Sequence, residues 1–162
     1  MRIRLYRTGD TERLARIYRE AALQTGAQTY SSAEVAVWAS LVDDLPRFGR
    51  QLGRGITLVA ETGTGEAAAF GQLEPADRIA LLYTAPGFGR ATYATGIYRL
   101  LEERAREAGV SVLRAEASHV ARGFFEKQGF EVVDRERVRH RGVTIERLRM
   151  SKPLIEPLTP GA

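Results

Sequence analysis

Residues 78–108 constrain the fold more than any other stretch of the chain. Ile79-Ala80-Leu81-Leu82-Tyr83-Thr84 is an apolar run of strand length. It breaks at Ala85-Pro86-Gly87-Phe88-Gly89-Arg90, and a helical pattern resumes near Thr92. Ala94, Ile97, Tyr98, Leu101, Ala105 and Ala108 then fall on one face of a 3.6-residue period. A buried strand that feeds a turn and opens a long helix leaves backbone N–H groups unpaired at the helix start. Those groups and the helix dipole favour a phosphate or another anion. The same pattern also serves as an ordinary strand–turn–helix packing unit.

The flanking sequence supplies the rest of a sheet. Residues 2–7 alternate charged and apolar side chains, which predicts a first strand. Asp10 or Thr11 caps a helix that runs to about Thr25, striped by Leu14, Ile17, Tyr18 and Ala21 and ended by Gly26. Ser31 or Ser32 caps a second helix, with Glu34 placed for a capping box. A helical segment over 41–52 is interrupted by Pro46. Residues 56–61 and 67–73 form a hairpin around Thr62-Gly63-Thr64-Gly65-Glu66. With the strand at Ile79 they make an antiparallel meander. After the long helix, residues 110–117 predict a parallel neighbour of that strand. Ser118 caps a short helix that ends at Gly129, and Phe130-Glu131-Val132-Val133 is a strand. Arg135 to Arg141 reads as a charged turn or strand end, and the alternating run from Val143 to Met150 closes the sheet. The expectation is one α/β (α+β) domain over 1–154: a mixed, mainly antiparallel sheet of six or seven strands flanked by about four helices. Pro153, Pro157 and Pro160 mark a loose tail over 155–162.

Composition excludes several kinds of chemistry. The chain has no Cys, hence no disulfide framework, thiol nucleophile or thiolate metal site. Two His, His119 and His140, are too few for a His-built metal centre, so no metal is expected. No run of about 20 apolar residues exists, and the N-terminus is not a signal peptide. A cytoplasmic protein without a membrane partner is expected. Of 24 basic residues 22 are Arg, and the net charge is +4. That surplus fits an anionic partner such as a phosphorylated cofactor or RNA, and equally the base composition of the source genome.

This order of elements resembles the GCN5-related N-acetyltransferase (GNAT) superfamily. The likeness is carried by Leu82-Tyr83-Thr84-Ala85-Pro86-Gly87-Phe88 before the long helix. After it, Glu116-Ala117-Ser118 and Ala121-Arg122-Gly123-Phe124-Phe125-Glu126-Lys127-Gln128-Gly129-Phe130 match better still. The resemblance covers roughly residues 2–154. It implies that the fourth and fifth strands splay to receive the pantetheine arm of an acyl-CoA, with Leu82, Tyr83 and Thr84 offering backbone. It implies a pyrophosphate loop over Gly89, Arg90, Ala91, Thr92, Tyr93, Ala94 and Thr95. It places Tyr30 and Trp38 where the first helices line the acceptor pocket, and the acceptor is a small-molecule or peptide amine. A homodimer is one assembly open to such a chain.

The departures from the family pattern are specific. The loop usually reads Gln/Arg-x-x-Gly-x-Gly/Ala; here Gly89 stands at the first position and Thr92 at the first Gly. A β-branched Thr crowds the phosphate approach that Gly permits. Arg90, one place along, restores a guanidinium. Ala80 occupies the position of a common carboxylate, and Phe125 that of a common Tyr acid. Glu74, at the end of the third strand, and His119, at the start of the short helix, are therefore the candidates for the amine proton. Tyr83 or Tyr93 is a stand-in for the missing Tyr hydroxyl. Three readings follow: acyl transfer from acetyl-CoA or another acyl-CoA, aminoacyl transfer from an aminoacyl-tRNA, and a non-catalytic module on the same fold. The tRNA reading draws on the altered loop, the absent Tyr and a basic surface from Arg90, Arg122, Arg135, Arg137, Arg139 and Arg141.

Overall fold

The computed structural model describes residues 1–89 and 92–155. Seven strands form one sheet in the order β1-β2-β3-β4-β5-β7-β6. They are β1 (Arg2–Leu5), β2 (Ile56–Glu61), β3 (Ala67–Leu73), β4 (Arg78–Thr84), β5 (Val112–Ala117), β6 (Glu131–His140) and β7 (Val143–Pro153). Only the β4–β5 pair is parallel, because α4 (Tyr93–Glu107) crosses over between them. The other helices are α1 (Thr11–Gln24), α2 (Ser32–Ser40), α3 (Leu45–Leu52) and α5 (Arg122–Lys127). Five α-helices are thus present among the described residues, in keeping with the expected number of about four.

The helices divide between the two sheet faces. Ile97, Tyr98, Leu101 and Ala105 of α4 pack with Ile79, Leu113, Ala115, Leu148 and Met150 on one face. Leu14, Ile17 and Tyr18 of α1 pack with Phe48 and Leu52 of α3 and with Val59, Phe70 and Leu81 on the other. Ile79 and Leu82 of β4 face α4, and Leu81 and Tyr83 face α1, because one extra residue, Ala80, shifts the phase of the alternation. Gly71 of β3 allows the close approach of α4: a Cβ there would lie 2.8 Å from Ile97 Cγ2 and 3.0 Å from Leu82 Cδ1.

Several local signals act as read from the sequence. Ser31 accepts the Glu34 N–H at 3.2 Å, and the Glu34 carboxylate accepts the Ser31 N–H at 3.0 Å, which makes the capping box reciprocal. Another differs. Pro46 does not interrupt a helix over 41–52; it sits in the first turn of α3, where no intrahelical donor is needed, with Asp44 as the cap. Of the two readings of the charged run, turn or strand end, Arg135 to His140 follows the second: it continues β6, paired with β7 from Arg135↔Leu148 to His140↔Val143. Exposed Arg on a two-stranded ribbon costs nothing in burial, so the charge run left both readings open. Arg90, Ala91 and 156–162, which include most of the expected tail, lie outside the described residues.

Candidate active site

β4 and β5 pair only at Arg78↔Arg114 and Ile79↔Ala115. Beyond Ile79 the strands part, and the β5-facing edge of β4 has no strand partner among the described residues. At the point of parting, Gln72↔Leu81 and Leu73↔Ile79 leave Ala80 as the extra residue of a β-bulge. The gap opens into a cavity of about 570 Å3. Leu82, Thr84, Gly89 and Ala94 line one side, and Ala117 and Phe125 the other. The cavity thus runs along the free edge of β4 to the first turn of α4. Phe125 is buried and packs edge-on against Phe124 and Phe130, with ring centroids 5.6 and 5.1 Å away.

A second cavity of about 280 Å3 lies on the α1–α3 face. Its walls are aromatic: Tyr18, Tyr30, Trp38 and Tyr83. Trp38 stands 5.6 Å from Tyr30 and 6.5 Å from Tyr83 by ring centroid, and Tyr18 lies 4.5 Å from Tyr83. The Trp38 indole N–H donates to the Tyr83 hydroxyl at 3.4 Å. Burial pushes the hydroxyls of Tyr18, Tyr30 and Tyr83 above the ordinary phenol value, so all three stay neutral at physiological pH. Beyond these tyrosines, the charged and titratable lining is Arg78, Glu116, His140, Glu146 and Arg147. Arg78 Nε donates to Glu116 at 2.8 Å, and Arg147 Nε donates to Glu136 at 2.7 Å. The Arg147 hydrogen bond holds the Glu136 carboxyl below the usual range.

The two cavities share Trp38, Ala80, Leu81, Tyr83, Glu116 and Ser118. A carboxylate, a hydroxyl and a bulged stretch of backbone therefore stand between a long cleft and a small aromatic chamber. Sequence reasoning overlooked Glu116 as a site residue. A signal was present: Glu116 is a charged residue in a central strand whose neighbours Ala115 and Ala117 are buried.

The predicted residues separate on this geometry. Leu82, Tyr83, Thr84, Gly89 and Ala94 line the larger cavity, while Thr92, Tyr93 and Thr95 belong to the start of α4 beside it. Tyr93 packs edge-on against Phe88 with centroids 5.6 Å apart. Trp38 lines both cavities and Tyr30 the smaller one. Glu74 lines neither: its backbone N–H donates to the Arg78 carbonyl at 3.0 Å in the turn before β4, and its side chain lies against Gly55. His119 also lines neither, but it stands behind the wall of the smaller cavity: its ring bonds Glu146 through Nε2 at 3.0 Å and its backbone N–H donates to the Tyr30 hydroxyl at 2.9 Å, and both partners line that cavity. Arg90 and Ala91 are outside the described residues. No group of three or more metal-ligating side chains occurs among the described residues, and no helix there is long and apolar enough to cross a membrane.

Known proteins resemble this chain in sequence and fold. Residues 26–152 match the acetyltransferase (GNAT) domain family. An uncharacterised N-acetyltransferase of Escherichia coli (strain K12), YafP, is 29% identical over 142 residues, 88% of this chain and 89% of that protein. The crystal structure of a GCN5-related N-acetyltransferase (aminotransferase, class-II) from Rhodopseudomonas palustris superposes with a TM-score of 0.91. It is 31% identical, over 94% of this chain and 95% of that one. PaiA N-acetyltransferase from Thermoplasma acidophilum, solved in complex with coenzyme A, shares the fold at 19% identity and a TM-score of 0.75, over 94% and 98%.

Proposed function

The chain belongs to the acetyltransferase (GNAT) domain family and is an acyltransferase, and on that premise we propose that it moves an acetyl group from acetyl-CoA to the amine of a small molecule or peptide. The observation that carries this reading is the loss of β4–β5 pairing beyond Ile79, which leaves a strand edge free along a cavity of about 570 Å3.

The residues present fit an acyl-CoA. A free strand edge takes up an extended, amide-bearing arm by main-chain hydrogen bonds, and Leu82, Tyr83 and Thr84 would hold it. The first turn of α4 offers backbone N–H groups and a dipole suited to a pyrophosphate. Thr92, Tyr93, Ala94 and Thr95, with Gly89 ahead of them and Arg90 and Ala91 between, would hold that group.

Acetyl-CoA supplies the activated acyl group: the neutral amine nitrogen bonds the carbonyl carbon, the C–S bond breaks, the thiolate leaves, and the surplus proton on the nitrogen passes to water. The Ala80 bulge lies in the wall between the two cavities, and a backbone N–H of that stretch would stabilise negative charge building on the acyl oxygen. Glu116 binds the acceptor as an ammonium and takes its proton before attack. Ser118 uses its oxygen to accept the Ala121 N–H at 3.1 Å, which leaves its own O–H free to donate to the departing sulfur. Phe125 has no proton to give, and a thiol of ordinary pKa near 8.5 leaves without one. The place of Glu116 in both linings supports it as base over Glu74 and His119, which line neither.

A second reading keeps the fold and exchanges the donor for an aminoacyl-tRNA. It rests on the exposed Arg135, Arg137 and Arg139, which alternate along one face of β6. Calorimetry separates the two readings. With acetyl-CoA as donor, binding is saturable, thiol release requires an added amine, and tRNA affinity falls with salt as for any basic protein. Absence of acetyl-CoA binding would overturn the first reading.

A further inference from the structure

From the small chamber we infer that the acceptor is a free α-amino acid with an aromatic side chain. This rests on the acetyl-transfer reading above and adds the class of amine. At about 280 Å3 the chamber lies at the small end of ligand pockets. It takes one compact molecule.

Three features of the lining select that molecule. The walls are flat and neutral: Tyr30, Trp38 and Tyr83 present ring surfaces that favour another ring in an edge-to-face or offset arrangement. The charges are paired and adjacent: the Glu116 carboxylate and the Arg78 guanidinium lie 2.8 Å apart. A ligand with one isolated charge disrupts that pair and compensates only half of it. A ligand whose own ammonium and carboxylate are separated by a single carbon exchanges partners with it, ammonium to Glu116 and carboxylate to Arg78. The third feature is Arg147, which also lines the chamber, whereas its partner Glu136 does not. Arg147 is near enough to Tyr83 to favour the charged form of its hydroxyl. A second guanidinium there completes a carboxylate site that an alkylamine leaves empty. Glu146 does not reverse this balance, because its carboxylate is engaged by His119 at 3.0 Å and lies 3.9 and 3.8 Å from Arg135 and Arg137.

Polarity along the chamber agrees with the chemistry. Glu116 is in the wall shared with the larger cavity, so the ammonium end faces the acyl group. Arg147 lies on the chamber side only, so the carboxylate end points away from it.

The test compares three amines with acetyl-CoA by thiol release: L-phenylalanine, L-phenylalaninamide and L-alanine. The amide keeps the ring and amine but lacks the carboxylate, and stands for a peptide N-terminus. L-Phenylalanine is expected to exceed each of the others in kcat/KM by about tenfold or more, the scale of one charged hydrogen bond or one buried ring. Arg147→Gln is expected to shrink the phenylalanine-to-amide ratio, a quantity measured within one protein and insensitive to its folded fraction. Trp38 is the sole Trp of the chain, so its emission reports chamber occupancy without any acyl donor. Saturable change with L-phenylalanine supports the proposal. Equal rates for all three amines, or Trp38 emission blind to L-phenylalanine, overturns it, while acetyl-CoA binding by calorimetry would still uphold the acetyl-transfer reading. If acetyl-CoA does not bind, that reading falls, and the Trp38 titration alone decides the chamber.

Discussion

The Arg78 guanidinium meets the Glu116 carboxylate at 2.8 Å across β4 and β5, at the vertex where the two strands stop pairing. The contact fixes a carboxylate in the wall between the two cavities. Glu116→Gln keeps the shape and removes the charge that binds and deprotonates an ammonium. We expect kcat/KM for the amine to fall by about a hundredfold or more with acetyl-CoA affinity unchanged, measured by steady-state kinetics and calorimetry. Glu74→Gln and His119→Gln are expected to keep the parent rate. A loss on either, with Glu116→Gln fully active, would reassign the proton.

Tyr83→Phe removes the hydroxyl that accepts the Trp38 indole N–H at 3.4 Å. The N–H is left without that partner, a loss of about 1 kcal/mol in stability. Because Tyr83 and Trp38 both line the two cavities, KM for the acceptor should rise more than kcat falls. Urea midpoints and a KM-against-kcat comparison check this.

Gly71→Ala tests the packing beneath the cleft. The added Cβ meets Ile97 Cγ2 at 2.8 Å, Leu82 Cδ1 at 3.0 Å and the Leu81 carbonyl at 3.2 Å. Relief requires movement of α4 or of β4, the two elements bordering the larger cavity. We expect destabilisation of about 1–3 kcal/mol together with weaker acetyl-CoA binding, read from urea melts and calorimetry. Unchanged binding would show that the cleft tolerates displacement of its floor.

Asp10 governs the acid limb of stability. Its carboxylate accepts from Arg4 at 2.8 and 2.9 Å, from Arg13 at 2.7 Å and from the Arg7 N–H at 2.8 Å. These contacts, the Arg4 hydrogen bond foremost, hold the Asp10 carboxyl well below the ordinary value. A depressed carboxyl stabilises the folded state above its unfolded pKa of about 3.9 and loses that contribution as pH falls below it. Asp10→Asn should therefore cost about 2–3 kcal/mol at pH 7, and its gap from the parent should narrow between about pH 4 and pH 2. Urea midpoints across that range decide it; a gap independent of pH would remove the charge from the account.

The sheet, the long helix and the family were legible in the sequence because their signals are local. The 3.6-residue stripe of α4, the apolar run of β4, the Gly-rich turn before β3 and the Ser31–Glu34 box each act within a few residues. Where local signals conflicted, tertiary context decided. Pro46 reads as a breaker until Asp44 is seen to start the helix just before it. Arg135 to His140 reads equally as a turn or a strand end until β7 pairs with it.

The site is different in kind. The family likeness points to Tyr30 and Trp38, and Glu74 stands out because the end of the third strand is expected near the central cleft. Whether Glu74 or Glu116 stands in the cleft depends on where β4 and β5 stop pairing and on which face each strand turns inwards. Two carboxylates of similar local sequence character were thereby separated, one to a turn against Gly55 and one to the wall between two cavities. The sequence by itself determined the elements and their order. The family likeness implied the splay of β4 from β5, but the Ala80 bulge and the meeting of Arg78 with Glu116 were settled only by the tertiary structure, because register and sheet order join residues 38 positions apart that no local pattern connects.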